Sequence, residues 1–269
     1  MIWLREHSKV NVAKVYAVKP RAVRGHLRFF LFLEYIEGEQ FNADKWLTLN
    51  NTQRDAVVFR FCEQLKLLRA VPSEGYYGRV KDQGYDALAG LVATNGKGLC
   101  GPYKTHEDFV SAVFTATEFE IAFSTDEYKE EERKLLHELK DVLGNPIGSE
   151  PKLTHVELGM INWLVAPMDG ETLQTASDYK VTFIDWNGLG WYPAWLQMAQ
   201  IQFEIPYSLR IFNVTRDNKG VPVDVSYNDD EIPKYQATME KFWEPPYPEQ
   251  TAFYYRMRKV GMSCCPHFG

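Results

Sequence analysis

Cysteine is scarce in this chain of 269 residues, and its four cysteines form no C-x-x-C pair. They are Cys62, Cys100, Cys264 and Cys265. Structural zinc sites and the disulfide frameworks of small secreted domains both need regularly spaced thiols. The pattern therefore favours reduced thiols and gives little support to a zinc site or a disulfide scaffold.

Long apolar runs are also missing. A membrane-spanning helix needs about 18 or more consecutive apolar residues, whereas the longest early run, Phe29 to Leu33, stops at Glu34. The opening MIWLREHSK becomes charged after Leu4, which is not the pattern of a secretory signal peptide. We therefore expect a cytoplasmic protein that has no membrane partner.

Basic residues are in the minority, with 30 Lys and Arg against 36 Asp and Glu and a net charge of −6. Binding of a phosphate backbone requires the opposite sign, so the charge disfavours a nucleic-acid partner. The same balance would suit a cationic small-molecule substrate. Apolar mass is plentiful, because 45% of the residues are hydrophobic and 7 are Trp, and this predicts a well-buried globular core.

Strand and helix patterns are segregated along the chain. Weak alternation over residues 10–18 and an apolar run over 27–36 predict a hairpin whose second strand is buried. A helix capped by Asn51 or Thr52 follows, with an apolar stripe over 57–68. Further helices are expected over about 105–123, 124–143, 193–205 and 233–243, with a surface loop over 73–104 and an otherwise irregular tail from 206. This segregation predicts an α+β fold rather than a doubly wound sheet.

Two short strands, over residues 163–166 and 179–184, are predicted to pair as an antiparallel hairpin. Asn162 then enters the first strand and Asp185 leaves the second, so both lie at the same end of the hairpin. An amide oxygen and a carboxylate suit a hard cation such as Mg²⁺. Glu157 lies in the loop leading to that end and is a candidate base for phosphoryl transfer. The spacing leaves open the alternative of a capped hairpin with two polar turn residues.

Several segments resemble motifs of the aminoglycoside phosphotransferase and choline-kinase-like enzymes, which share the protein-kinase-like fold. These segments are Phe32–Glu39, Gln64–Pro72, Leu153–Asn162, Ile184–Trp186 and Gly190–Pro193. The resemblance covers nearly the whole chain. It implies a truncated small β lobe with a hinge over residues 1–41, and a mainly helical large lobe over 42–269.

The resemblance also implies an activity and its site residues. The expected reaction is ATP-dependent transfer of a phosphoryl group to a hydroxyl of a small molecule. The hinge backbone at Glu34, Tyr35 and Ile36 is expected to contact adenine. The family pattern gives Glu157 the role of the catalytic base, and makes Asn162 and Asp185 the ligands of Mg²⁺.

The chain departs from this family pattern in three places. It has Val156-Glu157 where the family has Gly and Asp, and Leu196-Gln197 where the family has Trp and Glu. The Gly-rich loop, the strand lysine and the glutamate that pairs with it would precede the segment that matches Trp3-Leu4. A misplacement of ~1 Å at a catalytic group can cost about 10²-fold in rate. Two alternatives therefore stand: a phosphotransferase, or a degenerate pseudokinase-like binding protein without transfer activity.

Overall fold

A computed structural model describes residues 1–24, 26–86, 99–123, 129–167, 178–209, 213–216, 222–226, 230–243 and 247–259. The helices are α1 Ile2–His7, α2 Ala43–Thr48, α3 Asn51–Arg69, α4 His106–Phe123, α5 Lys129–Leu143, α6 Trp195–Leu209, α7 Glu231–Phe242 and α8 Pro248–Lys259. The strands are β1 Val15–Val23, β2 His26–Leu33, β3 Glu39–Gln40, β4 Tyr85–Asp86, β5 Leu99–Cys100, β6 Pro151–Thr154, β7 Trp163–Pro167, β8 Tyr179–Phe183, β9 Gly190–Pro193, β10 Asn213–Arg216 and β11 Pro222–Ser226. No described helix is both long and apolar enough to cross a membrane.

The strands form small antiparallel sheets, and the chain divides into two compact units. The first unit comprises Met1–Val71, Leu158–Trp186 and Pro206–Trp243. The second comprises Pro72–Glu157, Asn187–Ile205 and Glu244–Gly269. The sheets pair β1 with β2, β3 with β7 and β8, β4 with β5, β6 with β9, and β10 with β11. The α+β prediction is therefore confirmed, while the division at residue 41 stays a prediction.

Helix α3 forms the centre of the first unit. Its predicted stripe of Val57, Val58, Phe61, Leu65 and Leu68 is fully buried. The Phe61 ring stacks on Trp163 of β7 at a centroid distance of 4.0 Å and lies 5.4 Å from Phe183 of β8. Helix α3 thereby holds the β7–β8 hairpin from one side.

The cap of α3 lies one residue before the predicted position. Asn50 Oδ1 accepts the Gln53 backbone N–H, and Gln53 Oε1 accepts the Asn50 backbone N–H, both at 3.0 Å. Each bond satisfies a donor that the first helical turn leaves without an intrahelical partner. Three polar residues in a row, Asn50, Asn51 and Thr52, make the choice ambiguous from sequence, and the reciprocal bond to Gln53 decides it.

The β1–β2 hairpin differs from its prediction, because its strands are exposed. Phe29 and Leu31 keep 61% and 54% of their surface accessible. In the register Pro20 pairs with Phe29 and Val18 with Leu31, so these residues share one apolar face, while Lys19 and Arg21 lie on the other. Alternation predicts a strand, but burial requires a second layer to cover the apolar face.

The second unit is built around a large cluster of buried side chains. The cluster includes Tyr85, Phe109, Val113, Leu139, Val156, Tyr192, Trp195, Leu196 and Phe253. Two predictions fail here. The segment over 73–104 was expected to be a surface loop, yet Tyr76, Tyr77 and Tyr85 are buried, and the tail expected to be irregular contains α8. In both segments, isolated aromatic residues pack into the same core cluster. The surrounding sequence shows no clear hydrophobic periodicity that would predict their burial.

One glycine is required where β9 meets the segment before β4. Gly78 and Trp191 exchange two backbone hydrogen bonds, with N···O distances of 3.1 and 2.7 Å. A Cβ added to Gly190 would lie 2.8 Å from the Gly78 carbonyl oxygen. The close backbone approach therefore excludes a side chain at residue 190.

A buried ionic cluster joins α2, α3 and α7 in the first unit. Glu231 Oε2 accepts the Trp46 indole N–H at 2.9 Å and lies 3.1 Å from Arg54 Nη1, while Lys234 Nζ lies 2.6 Å from Oε1. Burial alone would raise the pKa of Glu231. The bonds from Lys234 and Trp46 and the charge of Arg54 outweigh burial, and the pKa is lowered from its usual 4.5.

We expect Glu231→Gln to lower the free energy of unfolding by about 3 kcal/mol at pH 7, because it leaves Arg54 buried without its counter-charge. A lowered folded-state pKa contributes stability that is complete above the unfolded value near 4.5 and is lost as the pH falls through the folded value. Urea titrations at pH 7 and pH 3.5 measure both effects. Glu240→Gln, an exposed change on the same helix, should alter neither stability nor its pH dependence. An equal loss in the two variants would contradict the role of the cluster.

Candidate functional site

The β7–β8 hairpin brings Asn162 and Asp185 to the same end, as the spacing predicts. Trp163 pairs with Phe183, and the register continues to Pro167 and Tyr179. One step beyond the ladder, the Ile184 N–H donates to the Asn162 carbonyl oxygen at 3.0 Å. The two side chains therefore belong to adjacent chain segments that leave one end of the same hairpin.

Asp185 has an unusual backbone conformation. Its φ of +59° lies in the left-handed region, which Asp and Asn enter more readily than other residues with a side chain. The next residue, Trp186, is buried, and its indole N–H donates back to the Phe183 carbonyl oxygen at 3.0 Å. The turn is thus closed by Trp186, while the carboxylate between the two aromatic residues is exposed. A strained residue with an exposed charge is typical of functional sites.

Asn162 is held in place by the backbone on both sides. It ends the 3₁₀ turn Met160–Asn162, and its N–H donates to the Gly159 carbonyl oxygen at 3.0 Å. Its neighbours Met160 and Trp163 are fully buried, and Asn162 is itself nearly so. The backbone of Asn162 is therefore held on both sides and its side chain is nearly buried, in contrast to a residue on a solvated loop.

Glu157 ends a segment of the second unit, whereas Asn162 and Asp185 belong to the first. It follows four buried residues, Leu153 to Val156, and is itself half-buried. Val156, which replaces the expected Gly, packs in the core cluster of the second unit. Glu157 is thus the first residue of this stretch whose side chain reaches solvent. That it joins Asn162 and Asp185 in one site stays a prediction.

The three predicted hinge residues differ in their surroundings. The Glu34 N–H donates to the Lys14 carbonyl oxygen at 2.8 Å, and Glu34 Oε2 accepts the Lys14 N–H at 2.9 Å. Arg5 Nη1 lies 3.6 Å from the same carboxylate. The side chain of Tyr35 is 85% exposed and Ile36 is half-buried. Because the backbone donor of Glu34 is occupied, only Tyr35 and Ile36 could offer an N–H to a ligand.

A cavity of about 280 Å³ lies beside the hinge in the first unit. Its lining includes Arg5, Lys9, Glu34, Ile36, Lys180 and Thr182. Sequence reasoning missed Lys180 and Thr182, although they alternate with the apolar Val181 and Phe183 and so lie on the opposite face of β8. Strand β8 ends at Phe183, and Asp185 follows two residues later in a left-handed conformation. Strand β8 therefore runs from the cavity toward the predicted metal ligand.

Within the described ranges, no group of three or more His, Cys, Asp or Glu side chains is arranged to hold a metal ion. The predicted oxygen ligands at the hairpin end are the carboxylate of Asp185 and the amide of Asn162. Mg²⁺ is often bound by one or two protein ligands, with water and substrate phosphates completing its coordination. The two side chains therefore fit Mg²⁺ held together with a phosphate ligand.

The chain is similar to known proteins in three-dimensional structure but not detectably in sequence. No protein-family model and no curated protein matches the chain. The GDP and kanamycin complex of an APH(2") enzyme matches with a TM-score of 0.56 and 13% identity, over 97% of this chain and 70% of that chain. The GDP complex of wild-type aminoglycoside 2'-phosphotransferase-IIIa matches with a TM-score of 0.54 and 12% identity, over 97% and 70% of the two chains.

A thermostable mutant of aminoglycoside phosphotransferase APH(4)-Ia, in a ternary complex with AMP-PNP and hygromycin B, matches in the same way. Its TM-score is 0.55 and its identity 14%, over 95% of this chain and 70% of that chain. Identities this low carry the fold alone. With the antiparallel sheets and helices described above, they confirm that the chain has the protein-kinase-like fold of the aminoglycoside phosphotransferases.

Proposed function

We propose that the protein is an ATP-dependent phosphotransferase that acts on a hydroxyl group of a small molecule. The observation that carries the proposal is the hairpin end, where a buried amide and an exposed, strained carboxylate leave adjacent strands of a kinase-like fold. Phosphoryl transfer depends mainly on positioning and on charge stabilisation. The common end of one hairpin supports the first of these needs for the two proposed ligands.

In this mechanism Asp185 and Asn162 would hold Mg²⁺. The ion, when bound, would neutralise charge on the phosphate oxygens of the nucleotide. Asp185 contributes the dominant attraction, because it brings a full negative charge while Asn162 brings a dipole. Asp185 lies in the left-handed turn that Trp186 closes at the end of the hairpin.

Glu157 is proposed to orient or deprotonate the acceptor hydroxyl. A carboxylate can accept that proton when it lies within hydrogen-bond reach of the hydroxyl oxygen. Glu157 suits this role because the buried stretch before it fixes the backbone while its own side chain is accessible. The extra methylene relative to Asp favours the alternative, a nucleotide-binding protein without transfer, and the rate measurements below separate the two.

The nucleotide is proposed to lie along β8, with its adenine at the hinge. The Tyr35 and Ile36 backbone groups would provide the donor and acceptor that adenine requires. The cavity at Ile36 and Thr182 would accommodate one end of the ligand, and the phosphates would extend toward Asp185. GDP and AMP-PNP occur in the complexes of the similar structures named above, which supports a nucleotide ligand in this fold.

We expect Asp185→Asn to lower phosphoryl transfer from Mg·ATP by at least about 10²-fold. Asn keeps the side-chain shape and tolerates the left-handed backbone, so the fold should be unaffected while the charge is lost. The measurement is release of labelled γ-phosphate to water, kanamycin or hygromycin B. Asp141→Asn, an exposed change on α5, serves as the matched control. A wild-type rate in Asp185→Asn would remove Asp185 from the site.

Glu157→Gln should lower the transfer rate by about 10²- to 10⁴-fold, because an amide cannot accept the proton. Glu157→Asp should raise the rate, since it provides the shorter side chain of the family pattern. The same labelled-phosphate assay tests both variants beside the unchanged chain. If Glu157→Gln transfers as fast as wild type, Glu157 is not the base. If wild type itself transfers nothing while it binds the nucleotide, the binding-protein alternative is the correct one.

Calorimetry with Mg·ATP should give a dissociation constant weaker than micromolar, because the Glu34 N–H of the proposed hinge is already bonded to the Lys14 carbonyl oxygen. Thr182→Phe should weaken binding further, by about tenfold or more, since the larger ring fills the cavity beside the hinge. Thr182→Val keeps the volume and should leave the affinity within about twofold. Equal affinities for the Phe and Val variants would mean that the nucleotide does not use this cavity.

A further inference from the structure

The side-chain amide of Gln197 is hydrogen-bonded to both backbone groups of His155. Gln197 Oε1 accepts the His155 N–H at 2.9 Å, and Gln197 Nε2 donates to the His155 carbonyl oxygen at 3.0 Å. Gln197 is 0% exposed and His155 1% exposed. The pair therefore lies in the interior of the second unit, where a hydrogen bond has no competition from water.

This contact begins where the backbone ladder ends. Strand β6 pairs with β9 as far as Thr154 and Gly190, so His155 is the first residue beyond the strand. Buried backbone groups require hydrogen-bond partners, and leaving one unsatisfied costs about 1–3 kcal/mol. Gln197, in the first turn of α6, supplies one acceptor and one donor. Its side-chain amide thus takes the place that the backbone of a paired strand residue would have at His155. An ionised glutamate there could only accept, and a leucine could do neither.

The constraint extends from His155 to Glu157. The Glu157 N–H donates to His155 Nδ1 at 3.3 Å, so Nδ1 carries no proton and the imidazole ring is held against the loop. Between the two residues, Val156 is buried in the core cluster of the second unit. Three successive residues are therefore attached to the interior, and the side chain of Glu157 is the one that reaches solvent.

We infer that Gln197 is a positioning residue that sets the location of Glu157 through the backbone of His155. The inference rests on the proposed function, because it gives Glu157 the role of the base. A shift of ~1 Å in a catalytic group can reduce the rate by about 10²-fold. Gln197 acts on the placement of Glu157 and not on the nucleotide, so its loss should affect turnover and leave ATP binding intact.

The test compares Gln197→Leu with Gln200→Leu. Both changes remove a buried amide from α6, and Gln200 is 3% exposed with an Oε1 that has no partner among the described residues. Amide hydrogen exchange of residues 153–158, followed by mass spectrometry, reports the loop directly. We expect exchange to accelerate by about tenfold or more in Gln197→Leu and to stay unchanged in Gln200→Leu. Unchanged exchange in both variants would overturn the inference whatever the activity.

Steady-state kinetics with Mg·ATP provides the second measurement. In Gln197→Leu, kcat should fall by about 10²-fold with an unchanged KM for ATP, and Gln200→Leu should match wild type. Faster exchange with an unchanged kcat would overturn the positioning role and leave the proposed function standing. Faster exchange in a protein whose wild type transfers no phosphate would overturn both. Should Gln197→Leu fail to fold, Gln197→Met, which keeps the length of the side chain and loses both hydrogen bonds to His155, takes its place in both measurements.

Discussion

The register of the β7–β8 hairpin is the constraint on which the candidate site depends. Phe61 of α3 contacts Trp163 and Phe183, and all three rings are fully buried. Because side chains alternate between the faces of a strand, a slip of one residue would turn these rings outward. It would also separate Asn162 from Ile184. Burial of large apolar side chains, worth about 1.5–3 kcal/mol each, therefore also holds the polar groups at the hairpin end.

The two units hold their functional candidates by different physical means. In the first unit, aromatic packing fixes the strands, and the exposed Asp185 follows from a turn that Trp186 closes with one indole hydrogen bond. In the second unit, the fixed element is a buried polar contact between Gln197 and His155. Polar contacts of this kind are directional, so they specify the orientation of the loop more closely than apolar burial does. The proposed base and the proposed metal ligands thus depend on separate interactions.

Sequence reasoning was accurate where a local pattern determines the outcome. The stripe of α3, the helix α4 and the two strands of the site hairpin follow their periodicity. It failed where burial depends on distant partners. The apolar strand β2 is exposed, while Tyr77 and Tyr85 of the supposed surface loop are buried. A period of two or 3.6 residues defines a strand or a helix, but the presence of a covering layer is a property of the whole chain.

For the site itself, the sequence alone predicted the candidate groups Glu157, Asn162 and Asp185 and a hinge at residues 34–36, and these roles stay predictions. Spacing alone also predicted that Asn162 and Asp185 share one end of a hairpin. In an antiparallel pair, the residue before the first strand and the residue after the second strand lie at the same end. Only the tertiary structure decided the left-handed backbone at Asp185, the occupied N–H of Glu34, the cavity lined by Thr182 and the bonds from Gln197 to His155. Each of these joins residues that are far apart in the chain or depends on packing around a single turn, and neither leaves a periodic signal in the sequence.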